Sequence, residues 1–310
     1  MTRISDLNEL VPGLPAVVTI GVFDGVHRGH QALIGQVVER AHAIAGTSVV
    51  LTFHPHPRAV LRPDVPTYAL TSLSERLRLI AELGVDTVAT LEFTRALSLL
   101  SAEEFLDLLQ AHVNLRELWV GDDFALGHHR SGTVARLSEL GVERGFVVHP
   151  VTQFADGGDR ISSSRVRDLM TAGDVAQAAL LLGRYPYIAG TVIPGLQRGR
   201  TLGFPTANLA LNAAYVLPAD GIYAVYAELD GVRLPAVANI GVRPTFGTND
   251  RLVEVYILDF DQRIYGKVLG VHLVKRLRPE ARFASVADLV AQMRRDVADA
   301  RSVLGNGAQK

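Results

Sequence analysis

The sequence predicts an α/β portion built on a parallel sheet, followed by a small antiparallel β-barrel portion closed by a C-terminal helix. Three observations carry this. Up to Arg184, near-continuous β-branched runs alternate with longer segments of helical spacing, the pattern of parallel strands covered on both faces. From Tyr187 short strands follow one another, broken by turn signals. The chain then closes on one amphipathic stretch, "SVADLVAQMRRDVADARSVL". Its 310 residues suffice for two ordinary domains with real cores, and the change of pattern puts the boundary near Arg184–Tyr187, giving 1–184 and 185–310.

In the first portion the strands are read at 16–23, 47–53, 86–93, 117–121 and 145–151. Between them lie the helical segments "HQALIGQVVERAHAIA", "LSERLRLIAELG", "SAEEFLDLLQAHV" and "TVARLSELGVERG". In the second portion the strands are "YIAGTVIPG", "TANLALN", "GIYAVYAELDG", "RLPAVANIG", "LVEVYILDF" and "KVLGVHLVKRLRP", with a hairpin signal at Asp230-Gly231. Ser285 stands where the closing helix needs an N-cap.

Composition narrows the function. The formal net charge is −1, and no basic block is present that would track a nucleic-acid backbone. With no cysteine, disulfides and thiolate metal sites are excluded, in keeping with a reducing compartment. No apolar run reaches the roughly 18 residues that a membrane helix needs, and the N-terminus lacks a signal core. The chain reads as soluble and cytoplasmic, with no nucleic-acid or membrane partner. No sequence feature sets an oligomeric state.

"GVFDGVHRGH" (21–30) follows the first strand of that pattern directly and runs into its first long helix. Ligands of parallel α/β sheets sit at the carboxyl ends of the strands. His27 and His30, at i and i+3, face one point if the helix starts near Arg28. The glycines let the backbone turn tightly, and a helix N-terminus suits an anion. A metal site would want a third ligand and the commoner i, i+4 spacing, so the pattern favours phosphate. A second cluster, "RISSSRVR" (160–167), sets serine hydroxyls and arginine forks before another helix. The residues alone leave open whether it binds phosphate or is an ordinary capped helix.

"HRGH" resembles the H-x-G-H signature of the nucleotidylyltransferases, and "ISSSRVR" resembles their later serine-arginine motif. "GVFDGVHRGHQ", "TFHPHPRAVL", "VGDDFALG", "RISSSRVR", "GRTLGFPTANL", "VANIGVRPTFG" and "VEVYILDF" occur in the order found in the bacterial bifunctional riboflavin kinase/FAD synthetase family, over nearly the whole chain. "GFPTAN" is the most specific of these motifs.

The resemblance implies a Rossmann-like nucleotidylyltransferase domain that transfers AMP from ATP to FMN, and a riboflavin kinase barrel that makes FMN from riboflavin and ATP. Both need Mg²⁺. It gives His27 and His30 to the ATP phosphates. It sets Gly21, Phe23, Asp24 and Asp123 around the nucleotide or flavin, and Arg160, Ser163, Ser164 and Arg167 on the phosphates from the other side. In the kinase it gives Gly199, Arg200 and Gly203 to ATP, Thr206 and Asn208 to Mg²⁺, and Glu254 to the base that takes the 5′-hydroxyl proton. Thr206 and Asn208 share a face if the segment is extended. By alternation Leu252, Glu254, Tyr256 and Leu258 share the face opposite Val253, Val255 and Ile257. His56 of "FHPHP" either contacts ligand or belongs to a proline-bounded loop. Leu289 and Met293 either flank the flavin ring or pack on the barrel. The chain departs from the family at Ala125 and Leu126, where an aromatic and a basic residue are expected. A kinase with a weak or inactive adenylyltransferase domain is therefore the alternative.

Overall fold

The structure, a computed structural model, describes residues 2–152, 155–156, 159–195, 199, 202–211, 214–242 and 251–305. By internal contacts the chain divides into two compact units: Met1–Thr67 with Leu73–Ser162, and Tyr68–Ser72 with Ser163–Lys310.

The first unit is a six-stranded parallel sheet with strands β1 (Arg3–Asp6), β2 (Ala16–Ile20), β3 (Thr47–His54), β4 (Thr87–Glu92), β5 (Leu115–Gly121) and β8 (Val147–Val151). Their order is β1-β4-β3-β2-β5-β8, and every pair is parallel. The chain winds outward from β2 in one direction and from β5 in the other, so the topological switch point lies between these two strands. Two-residue strands β6 (Ala125–Leu126) and β7 (Gly132–Thr133) pair beyond β5, and β9 (Ala155–Asp156) pairs with β10 (Asp159–Arg160) beyond β8.

Alternate strand residues feed two apolar layers. Val18, Ile20, Val49, Leu51 and Ala89 pack with Phe105, Leu106 and Leu109 of α4 (Ala102–His112) and Leu137 and Leu140 of α5 (Val134–Arg144). On the other face Val50 and Val88 meet Ile34 of α1 (Arg28–Ala43) and Leu79 and Ile80 of α3 (Leu73–Ala81), while Val17 meets Val37 and Ala41 of α1. Each fully buried aliphatic side chain contributes about 1.5–3 kcal/mol by leaving water. The ends are set locally. Ser101 and Glu104 make a reciprocal capping box on α4, and α5 stops at Gly145 in the left-handed region (φ 79°). A short helix, α2 (Pro57–Leu61), follows β3.

Helices α6 (Ser163–Ala172) and α7 (Val175–Leu182) open the second unit's main segment. A closed antiparallel barrel follows, in the order β11 (Tyr187–Ile193), β12 (Ala207–Leu211), β15 (Arg251–Ile257), β14 (Val232–Val242), β13 (Gly221–Leu229) and β16 (Val268–Arg278). Val253, Val255 and Ile257 are buried, as are Leu269, Val271 and Leu273, and they alternate with residues of the other face. The closing helix α8 (Val286–Leu304) lays Ala300 and Leu304 against Ala224, Tyr226 and Val237. Its N-cap is Ser285, whose hydroxyl accepts the Asp288 N–H at 3.1 Å.

The expected α/β-then-barrel order holds, with two differences in detail. The strand read at 16–23 ends at Ile20, because the chain turns into a left-handed backbone at Phe23 (φ 51°). The edge strand β1 was not expected: "RISD" is short and mostly polar, and its pairing with β4 supplies what local propensity does not.

Candidate active sites

The first site grows from the switch point. β2 delivers the glycine-histidine loop, and β5 delivers the loop carrying Asp123. In the first loop Phe23, Gly25 and Val26 all have positive φ (51°, 82° and 38°). Only the glycine adopts this conformation freely; each of the others costs of order 1–3 kcal/mol. Burial of the Phe23 and Val26 side chains, 3% and 1% exposed, offsets that cost. Gly21 is needed because a Cβ there would stand 3.0 Å from the tip of the Phe23 ring.

The two histidines form one unit. His27 is the N-cap of α1, its Nδ1 accepting the His30 N–H at 3.2 Å. An accepting Nδ1 leaves the neutral ring's proton on Nε2, a nitrogen of the type that can donate to an anion. The rings stack at 3.6 Å with 17° between planes, and Phe23 meets His30 edge-on at 5.2 Å. His27 and Asp24 are buried, 5% and 3% exposed.

Beneath this loop lies a residue that sequence reading missed. Arg76 of α3 is 4% exposed and donates at 2.8 Å to both the Val22 and the Phe53 carbonyls, at the carboxyl ends of β2 and β3. Burial lowers its pKa, and the charge of Asp24 partly restores it. Burial, and then the charge of Arg76, hold His54 below the usual histidine range. The "SERLR" run gives no sign that its first arginine points inward. The missing signal is tertiary: two carbonyls left at strand ends where a bound side chain must satisfy them.

Asp123 and Arg160 are brought together, with Arg160 Nη2 donating to Asp123 Oδ2 at 2.6 Å. Ser163, Ser164 and Arg167 occupy the first turns of α6, Ser164 exposed and the other two half-buried. His56 caps α2 by accepting the Arg58 N–H at 3.1 Å. At the departure from the family pattern, Ala125 pairs with Thr133, and Leu126 is buried in the α4/α5 core.

The second site is a cavity of about 640 Å³ in the barrel unit. Its walls include Gly199, Phe204, Thr206, Asn208, Asn239, Glu254, Tyr256, Arg278, Leu289 and Met293. Strand register explains the grouping. Asn208 pairs with Glu254, and Glu254 pairs with Asn239, so a polar row runs across β12, β15 and β14 on one face. Thr206 and Asn208 share the cavity as their spacing required. Leu289 and Met293 line it too, so the closing helix forms a wall. Phe204 meets Tyr256 edge-on at 5.4 Å, and the Phe204 N–H returns to the Gly199 carbonyl at 2.8 Å. Gly203 sits at φ 86° between them. Arg200 lies outside the described residues. Arg278 is clamped by Asp296 through two hydrogen bonds of 2.7 Å, tying β16 to α8 at the rim.

The donor set of this row suits a small oxygen-seeking divalent cation. Asn208 is 6% exposed, and its Oδ1 accepts no hydrogen bond from any described residue. A buried neutral oxygen and a threonine on the wall of the same cavity are of the hard-donor type that such an ion takes, with water and phosphate completing its shell. Gly195 makes room for this amide, since a Cβ there would collide with the Asn208 side chain.

The parallel-sheet unit with its glycine-histidine loop and the barrel unit with its polar cavity are matched by two family models, both of nucleotide-dependent transferases. The family model for FAD synthetase matches residues 13–165, and that for riboflavin kinase matches 182–304. The bifunctional riboflavin kinase/FMN adenylyltransferase of Escherichia coli K12 is 42% identical over 93% of both chains. That of Bacillus subtilis is 36% identical over 94% of this chain and 93% of its own. Among solved structures, one described as a macrolide-efflux protein from Streptococcus pneumoniae superposes with a TM-score of 0.88 at 31% identity, covering 97% of this chain and 99% of that one. The chain belongs to the bifunctional riboflavin kinase/FMN adenylyltransferase family.

Proposed function

We propose that this chain phosphorylates riboflavin to FMN and then adenylylates FMN to FAD, with residues 185–310 assigned the first reaction and 1–184 the second. One observation carries the reading: Glu254 faces the 640 Å³ cavity with Asn208 directly beside it across the strand pair.

In the kinase reaction Glu254 removes the proton of the riboflavin 5′-hydroxyl as that oxygen attacks the γ-phosphorus of ATP. The bond to the β-phosphate oxygen breaks, ADP leaves, and the proton passes to the carboxylate. Thr206 and Asn208 hold Mg²⁺, which when bound neutralises phosphate charge. Gly199, Arg200 and Gly203 approach the ATP phosphates, and Leu289 and Met293 flank the flavin ring.

In the adenylyl transfer a phosphate oxygen of FMN attacks the α-phosphorus of ATP, and pyrophosphate departs. The nucleophile is already ionised, its second pKa being about 6, so no base is needed. What the reaction requires is stabilisation of charge on the transferring group and on pyrophosphate. His27 and His30 supply it, with Ser163, Ser164, Arg160 and Arg167 on the phosphates and Gly21, Phe23, Asp24 and Asp123 around the nucleotide or flavin. The stacked histidines and the Asp123–Arg160 pair support a working site over the weak-adenylyltransferase alternative. The same reading takes the protein to be cytoplasmic, with small molecules as its partners. Incubation with riboflavin, ATP and Mg²⁺, followed by chromatography of the flavins, tests both halves. FMN and then FAD are expected; FMN alone refutes the adenylyl half, and neither product refutes the whole.

A further inference from the structure

The polar row does not end at Glu254. On its far side from Asn208 stands Asn239, paired with Glu254 across β14 and β15 and lining the same cavity. The Glu280 carboxylate, on the wall of the same cavity, lies over Gly241 so closely that a Cβ there would collide with it. The Asn239 Oδ1 is buried and accepts no hydrogen bond from any described residue. A buried acceptor left in this way calls for a donor from outside the protein.

The donor's chemistry follows from position. Strand neighbours stand about 4.8 Å apart, so Asn208 and Asn239, two strands from one another, are too distant to share one small cation held at about 2.1 Å. Glu254, between them, must lie at the 5′-hydroxyl in the kinase reading. One strand spacing further on, what reaches Asn239 is the next part of the same substrate, a chain of secondary hydroxyls, each of which can donate.

We propose that Asn239 is a specificity residue of the kinase site: its Oδ1 accepts a hydrogen bond from a secondary hydroxyl of the flavin's polyol chain and so aligns the terminal hydroxyl with Glu254. This rests on the kinase reading above.

The test compares two substrates that share the ring and the terminal hydroxyl. One is riboflavin; the other is the flavin analogue carrying an unbranched 5-hydroxypentyl chain, which lacks the secondary hydroxyls. For Asn239→Ala we expect kcat/KM with riboflavin to fall about tenfold, the loss of one neutral hydrogen bond. With the hydroxypentyl analogue it should stay within about twofold of the unsubstituted protein, so the preference for riboflavin collapses. Asn239→Ser, which perturbs packing less, should give the same collapse. An equal loss on both substrates in both variants, or no loss on riboflavin, overturns the proposal. If the unsubstituted protein phosphorylates neither flavin, the kinase reading falls and takes this role with it; if it phosphorylates riboflavin and both variants keep the preference, the role of Asn239 alone falls.

Discussion

At the scale of single residues, the proposed reading divides the chemical labour by what each substrate presents. Riboflavin offers a neutral hydroxyl, and the cavity proposed for it contains a carboxylate; FMN offers an ionised phosphate, and the loop proposed for it contains imidazoles. Glu254→Gln keeps the shape and removes the base, so FMN formation should drop by about 10²–10⁴ in kcat, while FMN supplied directly is still converted to FAD. Chromatography of the two product series measures this. Arg76 makes a separate prediction. It touches no substrate in this scheme but holds the carbonyls of Val22 and Phe53 at the base of the strained loop. Arg76→Met removes both donors and lets Phe23 relax toward negative φ, displacing the histidines. A displacement of about 1 Å is enough to lower a transfer rate about 10²-fold. Adenylyl transfer in this variant should fall by that order with riboflavin phosphorylation unchanged, and Arg76→Lys, which keeps one donor, should recover part of the rate. Loss of both activities together would mean that Arg76 supports the fold and not the loop.

At the scale of elements, one carboxylate ties three of them. Glu117 of β5 accepts Arg40 of α1 through hydrogen bonds of 2.7, 2.9 and 3.1 Å, and Trp119 of its own strand at 3.0 Å. Its Oε2 also lies 3.1 Å from His149 Nε2 of β8. Burial acts to raise the Glu117 pKa, but the hydrogen bonds from Arg40 and Trp119 and the charges of Arg40 and His149 outweigh it, and the net shift is downward. A carboxyl lowered in the folded state contributes stability above its unfolded pKa, about 4.3, and loses it as pH falls through the folded value. Glu117→Gln should therefore lower the denaturation midpoint at pH 7. The difference from the unsubstituted protein should begin to shrink below about pH 4 and should vanish only below the lowered folded value, where both carry an uncharged group. Denaturant titrations of first-unit unfolding between these pH values read the effect, and a difference independent of pH would remove the electrostatic explanation.

At the scale of the whole molecule, what could be read in advance and what could not separate along a physical line. Alternation and caps are local, and they located β2 to β5, α1, α4 and α8 to within a few residues, including Ser285 as a cap and Val253, Val255 and Ile257 as an inward face. The cavity-facing position of Glu254 was legible from its alternation with Val253 and Val255, while its role as a base is what the family resemblance implies. Asn239 was not, since only the pairing of β14 with β15 puts it beside Glu254, and register is set by the closed barrel as a whole. Arg76 was invisible for the same reason. This line has a functional consequence. Thr206, Asn208, Asn239, Glu254, Leu289 and Met293 all belong to the second unit, whereas the stacked histidines and the Asp123–Arg160 pair belong to the first. On the proposed reading, FMN made in the barrel cavity is released before its phosphate meets ATP at the loop after β2. Two variants, each lacking one activity, make this measurable: Glu254→Gln, and His27→Ala combined with His30→Ala. Neither alone should turn riboflavin into FAD. Mixed in equal amounts, they should do so after a lag that shortens as the concentration of the adenylyl-competent variant rises, because free FMN accumulates before it is consumed. A mixture that makes FMN but no FAD, from variants that each keep their remaining activity, would mean that FMN passes between the sites of one chain without release.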